Sequence, residues 1–237
     1  MAGASVPISQ RLLQCAGFVQ PGASVCDVGC DHGYLAIHLA LNGAASVLAM
    51  DIAAAPLEKA RANIARFGLS DRISTHLTDG LAGVDPAECD TVIVAGMGGD
   101  AIAGILERCP WADDGQHRFI LQPQTSGNDL RRWLGERGWR IEDECLIEDA
   151  GRLYTALVSV PGGGQALSPG EQFLSPALRA SGSPLLPRYI TRLRKAMEAA
   201  IEGLSRSTKP EDPPRLRYYQ DALTEIVNWE AAHGNES

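Results

Sequence analysis

The 237-residue sequence lacks the features that mark membrane-spanning and secreted proteins. The Ala-rich stretch 36–57 is interrupted by His38 and Asp51, so it falls short of the roughly 18 apolar residues of a membrane helix. The first nine residues contain neither a basic region nor an apolar block, so they do not indicate a secretory signal. We therefore expect a cytoplasmic protein that makes no use of a membrane.

Paired cysteines are also missing, because none of the six cysteines forms a C-x-x-C pair. In a reducing compartment, isolated cysteines are more often small buried side chains than disulfide partners or zinc ligands. We expect no metal site.

An excess of positive charge is absent as well. The chain has 29 acids against 21 bases, a net charge of -8, which argues against non-specific binding to nucleic acid. The acidity is uneven: residues 1–160 hold 20 acids and 12 bases, whereas 161–237 hold nine of each. The tail contains one basic cluster, which is either a solvated helix face or a phosphate-contacting patch: Arg188, Arg192, Arg194 and Lys195.

What the sequence does contain is an alternation of short apolar runs with amphipathic helical windows, the pattern of an α/β fold. The windows begin near His32, Pro56, Gly98 and Ser126. The last two runs are joined by only four residues, too few for a crossover helix, so they must form an antiparallel hairpin. Five parallel strands plus a hairpin predict a seven-stranded, mostly parallel sheet of the class I (Rossmann-like) methyltransferase type. The predicted strands are 24–28, 46–50, 72–77, 90–95, 118–122, 140–147 and 153–160.

The chain beyond residue 160 has a different character. Residues 161–187 are rich in Pro and Gly and are expected to be a linker. Two apolar stripes with helical spacing then flank a Pro-containing turn at 205–214, which predicts an antiparallel, coiled-coil-like hairpin over 188–237. Each stripe is short, so this hairpin needs support from the unit formed by 1–160.

A glycine-bearing turn follows the first predicted strand and opens a helix. Gly29 and Gly33 let a ligand approach backbone N–H groups closely. Asp27 precedes this turn, and Asp51 and Asp79 end the next two strands. Acids in these positions suit a nucleoside, with Asp51 on the ribose hydroxyls and Asp79 on the adenine amino group. The alternative, that each acid caps a turn, is reasonable for one of them but poor for all three.

The same turn discriminates between cofactors. A pyrophosphate dinucleotide calls for Gly-x-Gly-x-x-Gly, but the second glycine position is Asp31, whose carboxylate would repel a phosphate. S-adenosylmethionine carries a sulfonium and an ammonium, which Asp27 and Asp31 would attract. The sequence therefore favours S-adenosylmethionine over NAD.

Residues 95–100, AGMGGD, follow the fourth strand, where many amino-group methyltransferases have Asn/Asp-Pro-Pro-Tyr. Gly98 and Gly99 either leave room for a flat group beside the transferable methyl or merely allow close helix packing.

Several runs resemble, in order and spacing, the bacterial tRNA (adenine(22)-N1)-methyltransferase family. They include DVGCDHGYLAIHLALNG, VIVAGMGG, FILQPQ, DLRRWLGERGW and EDAGRLYTALV, and in the tail EQFLSPAL and SPLLPRYI. The resemblance runs from about Ser9 to the last helix. It implies a class I S-adenosylmethionine-binding domain, a C-terminal coiled-coil domain, and formation of N1-methyladenosine in the D-loop region of tRNA. The chain departs from the family at Cys30, where Ser is frequent, and at Gln124, where Asn is frequent.

The resemblance implies roles for individual residues. Asp31 is the candidate catalytic residue, which would accept a hydrogen bond from the adenine amino group; His32 either assists or is a structural hydrogen bonder. The expected cofactor-binding residues are Asp27, Gly29, Cys30, His32, Gly33, Tyr34, Asp51, Ile52, Asp79, Gly80 and Gly96. The expected substrate-binding residues are Met97, Gly98, Gly99, Gln122, Pro123, Gln124, Arg131, Arg132, Arg188, Arg192, Arg194 and Lys195.

Adenine N1 has an in-plane lone pair, so methylation requires alignment and charge stabilisation rather than a strong base. We expect tRNA as the partner of a monomer or weak homodimer. Two other functions stay open: a class I methyltransferase acting on another RNA, a protein or a small molecule, and a non-catalytic RNA-binding or scaffold protein that retains the fold.

Overall fold

A computed structural model describes residues 6–207 and 209–233, so the outermost residues of the predicted units 1–160 and 188–237 lie outside it. The described residues form one seven-stranded sheet covered by helices, which confirms the predicted fold class. Each predicted strand is present, with ends that differ by up to three residues. The strands are β1 (Ser24–Val28), β2 (Ser46–Asp51), β3 (Ile73–Leu77), β4 (Thr91–Gly98), β5 (Arg118–Thr125), β6 (Trp139–Asp149) and β7 (Arg152–Gly163).

The strand order is β3-β2-β1-β4-β5-β7-β6. Strands β1 to β5 are parallel, and β7 runs antiparallel to both β5 and β6, as the short β6–β7 connection predicts. The chain turns outward from β1 in one direction and from β4 in the other. Ligands of open α/β sheets bind in the crevice at such a switch point, beyond the carboxyl ends of the strands.

Helices cover both faces of the sheet and form the tail. They are α1 (Gln10–Gly17), α2 (Tyr34–Leu41), α3 (Ala54–Arg66), α4 (Gly99–Glu107), α5 (Gly127–Glu136), α6 (Pro169–Phe173), α7 (Pro176–Ala180), α8 (Leu186–Ser205) and α9 (Asp212–His233). Across the described ranges, no helix is both long and apolar enough to cross a membrane.

The segment 161–187 is more ordered than its composition indicates. Strand β7 continues through Gly163, and α6 and α7 begin where Ser168 and Ser175 cap the first turn. The predicted turn at 205–214 is too long, because α9 already begins at Asp212. Its first turn accommodates prolines, which have no N–H to leave unpaired there.

The tail packs on the β6–β7 hairpin. Leu146 and Leu153 of the hairpin share one buried apolar cluster with residues of α6 to α9, among them Leu174, Met197 and Ile226. The helical hairpin thus has the support that its short stripes require. All six cysteines are free, and five of them are buried.

Candidate active site

The turn after β1 folds back over the end of β2. The backbone N–H groups of Gly29 and Cys30 both donate to the Met50 carbonyl at 2.8 Å. Gly29 and Asp31 have left-handed φ values of 76° and 49°, which glycine adopts freely and aspartate only at some cost. This conformation directs the Asp31 N–H to Asp51 Oδ2, at 3.2 Å.

Asp51 ends β2 with both carboxylate oxygens anchored. Oδ2 accepts from the Asp31 N–H, and Oδ1 accepts from the Ala53 N–H at 2.9 Å. A carboxylate has about four acceptor sites, so acceptor capacity remains for a ligand.

The ends of four strands meet in one cavity of about 580 Å³, here called the strand-end cleft. The fold brings eight of the predicted site residues together in this cleft. These are Gly29, Asp31, Asp51, Ile52, Asp79, Gly80, Gly96 and Met97.

The far wall of the strand-end cleft comes from α4 and was not predicted. Asp100 and Arg108 of this wall line the cleft, and Arg108 Nη2 lies 3.5 Å from Asp79 Oδ1. Ile52 adds a side chain that is 68% exposed, an apolar surface next to Asp51.

A second cavity of about 230 Å³, the Asp27 pocket, adjoins the cleft at Gly29, Asp31 and Gly96. Asp27 is only 3% exposed, and its Oδ2 has no hydrogen-bond partner among the described residues. Burial and, secondarily, the negative charge of Asp51 raise the pKa of the Asp27 carboxyl to about 7. A buried, unpartnered acceptor in a pocket is suited to a cationic ligand.

Arg11 of α1 completes the Asp27 pocket. Its Nε donates to Asp149 Oδ2 at 2.7 Å, and its guanidinium lies 4.8 Å from the centre of the Tyr154 ring. Sequence reasoning missed Arg11 because a lone arginine in a short helix carries no motif.

A β-bulge shapes the edge between cleft and pocket. The pairing of β4 with β5 shifts register at Gly96, whose φ is 79°. Gln122 supports the bulge: its Oε1 accepts from the Gly96 N–H at 3.2 Å, and its Nε2 donates to the Pro123 carbonyl at 3.0 Å. Gln122 is fully buried, so its prediction as a substrate contact is wrong.

Met97 and Gly99, which follow the bulge, have different surroundings. A Cβ on Gly29 would lie 2.3 Å from Met97 Cε, so the methionine covers the Gly29 backbone at the edge of the cleft. A Cβ on Gly99 would lie 2.2 Å from the Ser126 carbonyl oxygen. Gly99 is buried at this helix contact, which corrects its prediction as a substrate-binding residue.

Three residues predicted to bind the cofactor lie outside the cavities. His32, Gly33 and Tyr34 are missing from the described lining of both the strand-end cleft and the Asp27 pocket. The His32 carbonyl accepts from Asn63 Nδ2 at 2.9 Å, and a Cβ on Gly33 would lie 3.0 Å from Ala60 Cβ. These residues start α2 and pack it on α3. Cys30 does line the Asp27 pocket.

Arg131 was predicted to bind the substrate, and this is wrong because Arg131 is 1% exposed. It forms an ion pair with Glu144, with Nε 3.1 Å from Oε1, and donates to the Gln172 carbonyl at 3.1 Å. Burial opposes its charge, but Glu144 overcomes this and raises the pKa of Arg131 above its ordinary value.

The other predicted basic residues are on the surface. Arg132, Arg188 and Arg194 pair with Asp129, Glu148 and Glu230 at 2.8, 2.7 and 2.9 Å, respectively. Lys195 is exposed on α8, and Arg192 donates to the Leu153 carbonyl at 3.0 Å.

Comparison with known proteins shows the family of this chain. Residues 8–157 match the family described as a methyltransferase domain. The chain is 35% identical to the tRNA (adenine(22)-N1)-methyltransferase of Bacillus subtilis (strain 168), over 96% of this chain and 98% of that protein.

Two solved structures are similar to this chain over most of its length. The crystal structure of the B. subtilis m1A22 tRNA methyltransferase TrmK has a TM-score of 0.82 and 28% identity, covering 94% of this chain and 99% of that one. The crystal structure of the Streptococcus pneumoniae protein Sp1610 in complex with S-adenosyl-L-methionine has a TM-score of 0.77 and 32% identity, covering 93% of this chain and 98% of that one.

Proposed function

Because this chain belongs to the tRNA (adenine(22)-N1)-methyltransferase family, we propose that it transfers a methyl group from S-adenosylmethionine to N1 of adenine 22 of tRNA. The observation that carries this proposal is the buried Asp27 carboxylate, whose Oδ2 has no hydrogen-bond partner among the described residues, beside a cleft lined by Asp31, Asp51 and Asp79. Such a site is complementary to a cationic nucleoside.

The Asp27 pocket fits the amino-acid end of this cofactor. Asp27 would accept from the ammonium group and Arg11 would bind the carboxylate, so both charges of the zwitterion meet their opposites. When bound, S-adenosylmethionine supplies an electrophilic methyl group on a sulfonium.

The strand-end cleft fits the nucleoside end. Asp51 is held by two backbone N–H groups and would accept from the ribose hydroxyls. Asp79 would accept from the adenine amino group, while Ile52 provides an apolar surface for the ring. Arg108 holds Asp79 across the cleft.

Asp31 is proposed to contact the target base. It lies between the cleft and the pocket, with a side chain that is 70% exposed. Its carboxylate would accept from the N6 amino group of adenine, which both aligns N1 with the methyl and stabilises the positive charge that develops on the purine. Met97, Gly98, Pro123 and Gln124 are proposed to border the same base.

The surface arginines of α5 and α8, together with Lys195, are proposed to contact tRNA phosphates. Their acidic partners are themselves on the surface, where ion pairs are weak enough to exchange for phosphate. The apolar stripes of α8 and α9 are used in packing on the chain's own sheet, which supports a monomer as the acting species.

Primer extension on total tRNA tests the proposal, because N1-methylation blocks Watson–Crick pairing. Incubation with enzyme and S-adenosylmethionine should produce one new stop, at the nucleotide immediately 3′ of adenine 22. Asp31→Asn is the variant that tests the role of Asp31. Asparagine is chosen because it tolerates the left-handed φ of 49° that alanine would resist. We expect this variant to keep measurable cofactor binding and to methylate about 100-fold more slowly.

A stop at another nucleotide, or methyl transfer only to protein or small molecules, would contradict the proposed substrate. Full activity of Asp31→Asn would contradict the role given to Asp31.

A further inference from the structure

A third cavity of about 190 Å³ lies between the start of α5, strand β7 and helix α8. We call it the Arg192 groove. Gln124 lines both this groove and the Asp27 pocket, so the groove opens beside the place where the target base must lie. Its described lining contains polar and aromatic side chains but no carboxylate; it includes Gln124, Thr125, Asn128, Tyr154, Phe173 and Arg192.

Arg192 differs from the other predicted phosphate-binding arginines. Within residues 6–207 and 209–233, no carboxylate lies within 4.0 Å of its guanidinium, whereas Arg132, Arg188 and Arg194 each have an acidic partner. Among the described residues, the guanidinium makes one hydrogen bond, in which Nη1 donates to the Leu153 carbonyl at 3.0 Å. A guanidinium has five N–H donors, so most remain for an anion.

The wall between groove and pocket is held in place. Arg11 covers one side of the Tyr154 ring at 4.8 Å and is itself fixed by Asp149 at 2.7 Å. Arg131, which also borders the groove, is neutralised by Glu144. Arg192 therefore supplies the uncompensated positive charge of a preformed groove.

We propose that the Arg192 groove binds a phosphodiester that adjoins the target adenosine, with the Arg192 guanidinium as the phosphate ligand. This inference rests on the proposed function, since it takes tRNA as the substrate. The groove is smaller than the roughly 300 Å³ of ordinary small-molecule sites, but its size and charge suit one sugar-phosphate unit. Arginine binds phosphate oxygens through two parallel N–H donors.

The first test compares Arg192→Gln with Arg206→Gln. Arg206 follows the far end of α8, is highly exposed and pairs with Glu202, so it is a matched control. For Arg192→Gln we expect the KM and Kd for tRNA to rise about 10-fold, with kcat and cofactor affinity within about twofold, and the slope of log Kd against log salt to fall by about one. Arg206→Gln should match the unchanged protein. A similar change in both variants, or in neither, would overturn the proposal.

The second test leaves the protein unchanged. Two full-length tRNAs carry a neutral methylphosphonate, one on the 5′ side and one on the 3′ side of adenine 22. One of them should weaken binding to the unchanged protein about as much as Arg192→Gln does and should weaken binding to that variant no further, because the two changes remove the same contact. Two results would show that the groove does not bind this phosphodiester. In one, neither methylphosphonate weakens tRNA binding; in the other, the loss of affinity caused by the methylphosphonate adds to the loss caused by Arg192→Gln.

Binding is measured separately from methyl transfer, so the two proposals can fail independently. A protein that shows the Arg192 dependence in binding but leaves tRNA unmethylated would contradict the proposed reaction and support the groove.

Discussion

Two acids of one short turn have opposite environments. Asp27 is 3% exposed and holds an unpartnered oxygen, whereas the Asp31 side chain is 70% exposed at the edge of the cleft. The sequence identifies both as acids near a ligand, but burial is decided by the sheet and by α2, which cover Asp27 alone. The difference suits their proposed roles, since Asp27 would bind the ammonium group of the cofactor and Asp31 would bind the adenine of the substrate.

The raised pKa of Asp27 gives a pH-dependent prediction. Its pKa rises from 3.8 to about 7 on folding, so the native state holds the proton more tightly and ionisation removes stability as the pH rises through that interval. At about pH 8, Asp27→Asn should therefore have a higher free energy of unfolding than the unchanged protein without cofactor, and the difference should vanish below about pH 4. Urea unfolding of both proteins across this pH range measures the difference in free energy of unfolding.

The same variant should bind S-adenosylmethionine about 10- to 100-fold more weakly, because a charged hydrogen bond to the ammonium is lost. Asp31→Asn serves as the control for stability, since its carboxylate is exposed. If the free energy of unfolding had the same pH dependence in Asp27→Asn and in the unchanged protein, the raised pKa of a buried Asp27 carboxyl would be contradicted.

At the scale of elements, the contact between α4 and α5 fixes the mouth of the cleft. A Cβ on Gly99 would lie 2.2 Å from the Ser126 carbonyl oxygen and 3.2 Å from Leu130 Cβ. This close approach sets the start of α4 directly beside the bulge at Gly96. Gly99 thus acts on the site through backbone placement.

Gly99→Ala should lower the free energy of unfolding by about 1–3 kcal/mol, because backbone atoms must separate to admit the methyl group. Gly203→Ala is the control: apart from its chain neighbours and the backbone of α8 itself, no atom of the described residues lies within 4 Å of its Cβ position, so alanine should stabilise by about 0.5–1 kcal/mol. Thermal or urea unfolding of both variants checks the difference. Stabilisation by both substitutions would show that the close contact at Gly99 does not resist a methyl group.

The sequence predicts the elements of the sheet better than those at its margins. All seven strands and helices α2 to α5 follow from hydrophobic periodicity, but α1 spans only two turns and no pattern above predicts it. Helices α6 and α7 lie in a Pro-rich segment whose composition indicates a linker, although Ser-Pro-Gly-Glu at 168–171 is a capping-box signal. Arg131 and Arg132 cannot be told apart in sequence, since only the packing of α5 on β6 buries one of them.

At the scale of the whole molecule, a buried polar network joins the sheet unit to the tail. Glu144 of β6 accepts from Arg131 of α5 and from Ser175 Oγ at the start of α7, at 2.5 Å. Arg131 also donates to Thr155 of β7 at 3.2 Å and to the backbone at Gln172. These bonds fix the tail against the sheet next to the Arg192 groove.

Arg131→Met should reduce the free energy of unfolding by about 3–5 kcal/mol, because Glu144 would be left as an unpaired buried charge. The neighbouring variant Arg132→Met is the control and should cost less than about 1 kcal/mol, since its ion pair with Asp129 is exposed. Denaturant unfolding of the two proteins measures both values. Equal losses would mean that the buried network contributes no more than a surface ion pair.

The Arg192 groove is assembled from distant parts of the chain. Its residues are therefore synthesised at different times. Asp27, Asp51 and Asp79 leave the ribosome early, whereas Arg192 follows on the order of ten seconds later at ordinary rates of synthesis. A nascent chain thus contains the carboxylates proposed to bind the cofactor before it contains the Arg192 groove. Under the proposed function, the phosphate contact of Arg192 is acquired only with α8, so a chain that lacks α8 lacks this part of its proposed contact with tRNA.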